Sequence, residues 1–182
     1  MSTDILGFSL LADYFVRYQQ HGKALPTAED LADYWSGIGF VLDGHRYVVS
    51  ITEVGEILTP PAMTRVPGVR PWFKGISNVR GRLMGVVDFS AFLNKPVKKI
   101  NASTQRLLVI DDGDLYSGLV VDDILGLHHF SQEEFSRDKA ITDEEIAPYV
   151  IGSYEREGER WSVVSLLRLA QDPKFLQVAR TS

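Results

Sequence analysis

The stretch Gly75-Ile76-Ser77-Asn78-Val79-Arg80-Gly81-Arg82-Leu83-Met84-Gly85-Val86-Val87-Asp88 decides how the rest of this chain is read. Two short runs, Gly75 to Ser77 and Leu83 to Val87, flank Asn78-Val79-Arg80-Gly81. A turn residue cluster between two strand-like runs predicts a hairpin. Arg80 then sits at the strand-to-turn position, between the permissive residues Gly75 and Gly81. Glycine lets the backbone bend, or lets another chain approach closely. An arginine there can fork onto a carboxylate or carbonyl of a partner. It can equally tie two strands of its own chain through a native carboxylate such as Glu56. On the residues alone the two readings stand level.

The same punctuation recurs on both sides. Ile38–Leu42 and Tyr47–Ile51 flank Asp43-Gly44, and Leu107–Ile110 and Leu115–Val121 flank Asp111-Asp112-Gly113-Asp114. Val150–Tyr154 and Trp161–Val164 flank Glu157-Gly158. Asp-Gly between β-rich runs is a strong hairpin signal, because Gly takes the positive φ that a type I′ turn demands. Many short, closely spaced strands predict an all-β barrel or sandwich. Short helices are expected after Asp88, with Phe89, Phe92 and Leu93 inward, and after Ser165, stopping before Pro173. Ser131–Glu134 and Thr142–Glu145 match the capping box. Asn94–Gln105 reads as an exposed loop, and no internal repeat is visible.

Before residue 36 the pattern is helical. Ile5, Phe8, Leu11, Phe15 and Tyr18 recur three or four apart and share one face. A second short helix is expected from Thr27, with Leu31, Tyr34 and Trp35 inward. These helices either pack on the main domain or form a partner-binding arm.

Composition removes several classes of chemistry. The 182 residues suffice for one domain with an extension. Lys plus Arg is 19 and Asp plus Glu is 24, a net charge of -5. That balance argues against broad binding to nucleic acid or anionic lipid. Without cysteine there is no disulfide, thiolate metal site or cysteine nucleophile. No apolar run approaches membrane-spanning length, and Met1-Ser2-Thr3-Asp4 does not resemble a secretory signal. No Gly-Lys-Ser/Thr marks a P-loop, and Gly75-Ile76-Ser77 lacks the closing glycine of a nucleophile elbow. His128 and His129, adjacent in a strand, point to opposite faces and do not readily chelate one ion. His21 and His45 bring no further ligands, so neither a metal nor a cofactor is expected. Asp111, Asp112 and Asp114 lack the spacing of a calcium loop and fit a hairpin turn better. Asp122 and Asp123 face opposite ways in a strand and cannot share a proton. Nothing assembles a nucleophile, a base and an oxyanion donor. A hydrolase or transferase on a β scaffold is therefore disfavoured. A small-ligand sensor with a pocket between barrels remains a third reading.

Several motifs in order carry a resemblance. Phe40-Val41-Leu42-Asp43-Gly44-His45-Arg46-Tyr47 is followed by Val54-Gly55-Glu56-Ile57-Leu58 and by Thr64-Arg65-Val66-Pro67-Gly68. Then come Trp72-Phe73-Lys74-Gly75-Ile76-Ser77-Asn78-Val79-Arg80-Gly81, Val86-Val87-Asp88 and Gly118-Leu119-Val120-Val121-Asp122. Together they resemble the CheW-like chemosensory coupling family over residues 36 to 170. The N-terminal extension, Asn78-Val79-Arg80-Gly81-Arg82-Leu83 and the tail around Phe175-Leu176 are similar to its pilus-associated subgroup, from the system controlling twitching motility. Gly85 departs from the family, which usually carries proline there.

The resemblance implies a mainly β fold of two five-stranded SH3-like barrels sharing a core, with an N-terminal helical extension. It divides the chain into a helical extension (1–35), the CheW-like domain (36–170) and a tail (171–182). It implies no enzyme activity and no cofactor. The implied role is an adaptor in a two-component signal-transduction system, coupling the cytoplasmic tip of a methyl-accepting chemoreceptor to a CheA-type histidine kinase. The output would be type IV pilus twitching; the alternative is flagellar chemotaxis. The implied location is cytoplasmic, at polar membrane-associated receptor arrays, with no nucleic-acid partner and no membrane insertion. Carried over by motif, Val54, Glu56, Asn78, Arg80 and Gly81 would form the receptor-facing groove. Ile57 and Leu58 would meet the kinase.

Overall fold

The computed structural model describes residues 34–96, 102–138 and 144–179. The two expected N-terminal helices and the capping box at Thr142 lie outside them. The chain divides between Asp33 and Tyr34. Strand β1 (Tyr34–Leu42) opens the second unit, so Tyr34 and Trp35 are strand residues, not the inner face of a helix. Trp35 stacks on Tyr154 at 5.4 Å between ring centroids and lies 6.0 Å from Phe130. These contacts fix it in the sheet.

The remaining strands are β2 (His45–Ser50), β3 (Glu56–Leu58), β4 (Phe73–Val79), β5 (Arg82–Asp88), β6 (Arg106–Asp112), β7 (Leu115–Val121), β8 (Asp123–Ser131), β9 (Val150–Arg156) and β10 (Glu159–Val164). Helix α1 (Phe89–Phe92) follows β5, while α2 (Leu166–Ala170) and α3 (Pro173–Leu176) follow β10. Every expected hairpin forms. Asp43-Gly44, Arg80-Gly81 and Glu157-Gly158 each place two residues at positive φ between their strands, the geometry of a type I′ turn. Asp88 caps α1 by accepting from Ala91 N–H at 3.0 Å, and Ser165 caps α2 through Arg168 N–H at 3.3 Å. Ser131 caps only a single 3-10 turn, Gln132–Glu134.

The strands assemble into two five-stranded sheets, ordered β8-β1-β2-β10-β9 and β3-β6-β7-β5-β4. This order contains a repeat that the residues conceal. Each half of the unit runs hairpin, edge strand, hairpin, short helix: β1 to β5 with α1, then β6 to β10 with α2. The halves are interlaced. β3 pairs with β6 and β8 with β1, both antiparallel, while β5 lies parallel to β7 and β10 parallel to β2. Each half thus lends its first hairpin to one sheet and its last three strands to the other.

The ladders do not close into the expected barrels. Among the described residues, backbone pairing at the edges, β8 and β9 in one sheet and β3 and β4 in the other, is limited to single bridges formed beyond the edge strand. Thr64 bridges Ile76 of β4, and Ser136 bridges Ser153 of β9. Each bridge is a reciprocal pair of backbone hydrogen bonds of 2.8 and 2.9 Å. The glycine before each bridge explains the tight approach. A Cβ on Gly75 would stand 2.3 Å from Thr64 O, and one on Gly152 would stand 2.5 Å from Ser136 O. The close neighbour that Gly75 admits is this chain's own backbone.

Burial explains why the central runs are continuously apolar. One face of each sheet meets a shared core, where Phe40, Tyr47 and Val49 pack with Val87, Leu108 and Leu119. The other face covers a small core of its own. Leu108 and Ile110 therefore face the shared core while Leu107 and Val109 face a satellite one. Val49 and Val48 divide in the same way. A strand buried on both faces loses the alternation of a half-exposed one. Residues past 170 join this packing: Phe175 of α3 is buried, stacked on Trp72 at 6.3 Å, and Val69 bridges Ala179. Gly85 lies in β5, hydrogen-bonded on both sides, so it is not an edge residue.

Candidate functional site

The β4–β5 turn projects Arg80 beside the edge strand β3. Arg80 has φ 51° and Gly81 has φ 84°. Left-handed backbone is uncommon for a residue with a Cβ, and the sequence supports it locally. Asn78 Oδ1 accepts from Gly81 N–H at 2.9 Å, closing the turn from within. The Arg80 side chain is 78% exposed, and its Nη2 lies 3.0 Å from Glu56 Oε2, whose side chain is 22% exposed. The two readings of Arg80 therefore combine. It ties β3 to the hairpin, yet most of its surface faces solvent.

Glu56 has a second partner. Tyr116 of β7 donates its hydroxyl to Glu56 Oε1 at 3.2 Å. Burial, and then this hydrogen bond, pushes the Tyr116 hydroxyl above its ordinary value, so it remains a donor across the physiological range. The Arg82 guanidinium lies 4.0 Å above the Tyr116 ring, a cation–π arrangement. The same guanidinium forks onto Asp111 of β6 through bonds of 2.6 and 2.9 Å. Arg82 holds the Asp111 carboxyl below its usual range, while hydrogen bonding to Asp111 raises Arg82. Gly55, Glu56, Val79, Arg80, Arg82, Val109, Asp111 and Tyr116 line a cleft of about 230 Å³ here.

The residues singled out in the sequence fall in different places. Glu56 and Arg80 meet, and Asn78 and Gly81 shape the turn that presents Arg80. Val54 does not join them: it is half-buried against the shared core. Ile57 and Leu58 face opposite ways along β3. Ile57 is exposed, and Leu58 packs on the satellite core beneath its sheet. Arg82, Tyr116 and Asp111 belong to the site although no motif marks them as binding residues. Asp111 reads in the sequence only as turn chemistry, because a separation of 29 positions from Arg82 gives no local signal. The other motif aspartates are structural. Asp88 caps α1, and Asp122 Oδ2 accepts from Asp43 N–H at 2.7 Å, anchoring the β1–β2 turn. Among the described residues, no group of three His, Asp or Glu side chains could hold a metal ion. No helix among them is long and apolar enough to cross a membrane.

Two interlaced five-stranded sheets, with the Gly75 to Gly81 turn held at a sheet edge, are the architecture of a CheW-like domain. Residues 36–174 match the CheW-like domain family, and the chain belongs to it. It is 37% identical over 172 residues to Protein PilI of Pseudomonas aeruginosa, covering 94% of this chain and 96% of that one. It is 33% identical over 116 residues to Chemotaxis protein CheW of Bacillus subtilis, covering 60% and 74% of the two chains. The crystal structure of the scaffolding protein TtCheW from Thermoanaerobacter tengcongensis shares the fold. Its TM-score is 0.66 at 18% identity, over 77% of this chain and 94% of that one.

Proposed function

We propose that this protein is a non-catalytic adaptor that couples the cytoplasmic tip of a methyl-accepting chemoreceptor to a CheA-type histidine kinase, in control of type IV pilus twitching. The observation that carries the reading is Arg80, held at the tip of a tight turn by Glu56 and still 78% exposed. A receptor hairpin offers an amphipathic helix, and a shallow cleft with a fixed, partly satisfied guanidinium suits one that carries acidic or carbonyl acceptors. In this reading Glu56, Asn78, Arg80 and Gly81 form the receptor surface. Val54 acts from beneath by packing, and Ile57 meets the kinase from β3, with Leu58 holding that strand in place. Coupling is geometric: two weak contacts on one rigid scaffold gain from effective concentration. The adaptor works in the cytoplasm at polar receptor arrays, with residues before Tyr34 as an extension of the coupling domain.

The pilus output rests on the match to PilI over nearly the whole chain. The match to a chemotaxis CheW favours a flagellar output as the second reading. Co-purification of the full chain from its native cell decides the class. Recovery of a CheA-type kinase and a chemoreceptor is expected, and recovery of neither overturns the adaptor reading. Within that experiment Arg80→Glu sets a carboxylate beside Glu56 and should abolish receptor recovery. Its circular dichroism melt should stay within a few degrees of the parent, since an exposed ion pair contributes only about 0–1 kcal/mol. A collapsed melt would make Arg80 a strut and remove it from the receptor surface.

A further inference from the structure

We infer that Tyr116 is a positioning residue for Arg80: its hydroxyl fixes Glu56, and Glu56 in turn fixes the guanidinium presented to the receptor. This rests on the receptor surface proposed above and adds Tyr116, which none of the motifs contains. The reasoning starts from the weakness of the Arg80–Glu56 pair by itself. An exposed pair gains little Coulomb energy in water, and holding two long side chains in one geometry costs rotamer entropy. A charge-assisted hydrogen bond to the second carboxylate oxygen changes that balance. Tyr116 occupies Glu56 Oε1 at 3.2 Å, leaving Oε2 aimed at Arg80 Nη2 at 3.0 Å. Glu56 then loses its rotational freedom to a rigid aromatic and not to the flexible arginine.

Tyr116 is itself held. It stands in β7, an interior strand between β6 and β5. The Arg82 guanidinium covers its ring at 4.0 Å, and Asp111 grips that guanidinium with both oxygens. The order of fixing therefore runs Asp111, Arg82, Tyr116, Glu56, Arg80, across β6, β5, β7, β3 and the turn. Arg82 is committed through one N–H of each Nη to the two oxygens of Asp111. Arg80 meets Glu56 through one Nη only, which leaves N–H groups of its guanidinium for an incoming carboxylate or helix-terminal carbonyl.

Nuclear magnetic resonance on the full chain tests the assignment without any partner. The Arg80 side-chain Nε–H order parameter should fall in Tyr116→Phe to the value found in Glu56→Gln, with the melting temperature unchanged. An Arg80 order parameter that stays at the parent value in Tyr116→Phe overturns the inference. Should the phenylalanine variant melt low, Arg82→Gln, which uncovers the Tyr116 ring, is expected to loosen Arg80 in the same way, and an unmoved Arg80 there counts equally against the inference. A second readout uses the purified cytoplasmic fragment of a chemoreceptor as probe. Tyr116→Phe should weaken its binding roughly two- to tenfold, the scale of one hydrogen bond, and should add nothing in an Arg80→Ala background. Arg80→Ala binding the fragment as tightly as the parent would remove the receptor surface, while the resonance measurement still decides what positions Arg80.

Discussion

At the scale of single residues, the motif separates into backbone chemistry and one presented charge. Gly75 makes room for Thr64, Asn78 closes a turn, and Gly81 accepts its positive φ. Gly75→Ala would force a Cβ to within 2.3 Å of a carbonyl oxygen. It should cost at least about 2 kcal/mol, the scale of overpacking against an unyielding neighbour, read by chemical denaturation. Unchanged stability would mean that the Thr64 bridge is dispensable. Arg80 is legible in the sequence because its glycine neighbours mark a special backbone. Its supporting residues are not. Tyr116 lies 60 residues from Glu56, and no local pattern reveals which strand will lie beside which. Val54 shows the converse: a motif neighbour of Glu56 that packs, half-buried, against the shared core.

At the scale of elements, the hairpins are readable because turn chemistry is local, and the capped helices for the same reason. The C-terminal helix is less so. Residues 171–182 read as a tail, yet α3 seats Phe175 between Trp72 and Phe92. Asp172 joins two elements there, accepting from Lys174 N–H at 2.7 Å and from the Tyr149 hydroxyl at 2.5 Å. Burial, then the bond to Asp172, pushes the Tyr149 hydroxyl well above its ordinary value of 10.0. The folded chain thus binds that proton more tightly than the unfolded chain does. The stability this provides is complete below about pH 10 and is lost as pH rises through the folded value. A melting-temperature titration should therefore fall on the alkaline side, and Tyr149→Phe should flatten that fall. An identical alkaline slope in the variant would show that Tyr149 does not carry it.

At the scale of the whole molecule, the useful boundary is Tyr34. Deleting residues 1–33 should leave a folded, cooperatively melting domain, because β1 and the Trp35 stack on Tyr154 remain. Extending the deletion through Trp35 removes that stack. Aggregation of the shorter deletion, seen by size-exclusion chromatography, would show instead that the deleted segment belongs to the core. The interlaced halves are not legible in the chain. Each half buries different side chains at equivalent places, such as Gly118 in one and Val48 in the other, so the repeat survives in hydrogen bonding and not in residue identity.

That interlacing bears on what a linker protein must withstand. The backbone passes from one sheet to the other between β2 and β3 and again between β7 and β8. A tug applied to opposite sheets therefore loads two covalent tethers as well as the apolar packing between them. Sliding one sheet over the other would shear the shared core and strain both crossings while leaving each ladder within its own sheet. A shared core and two crossings oppose parting of the sheets, so in the proposed adaptor role a displacement imposed at one docking surface should reach the other as movement of the whole body.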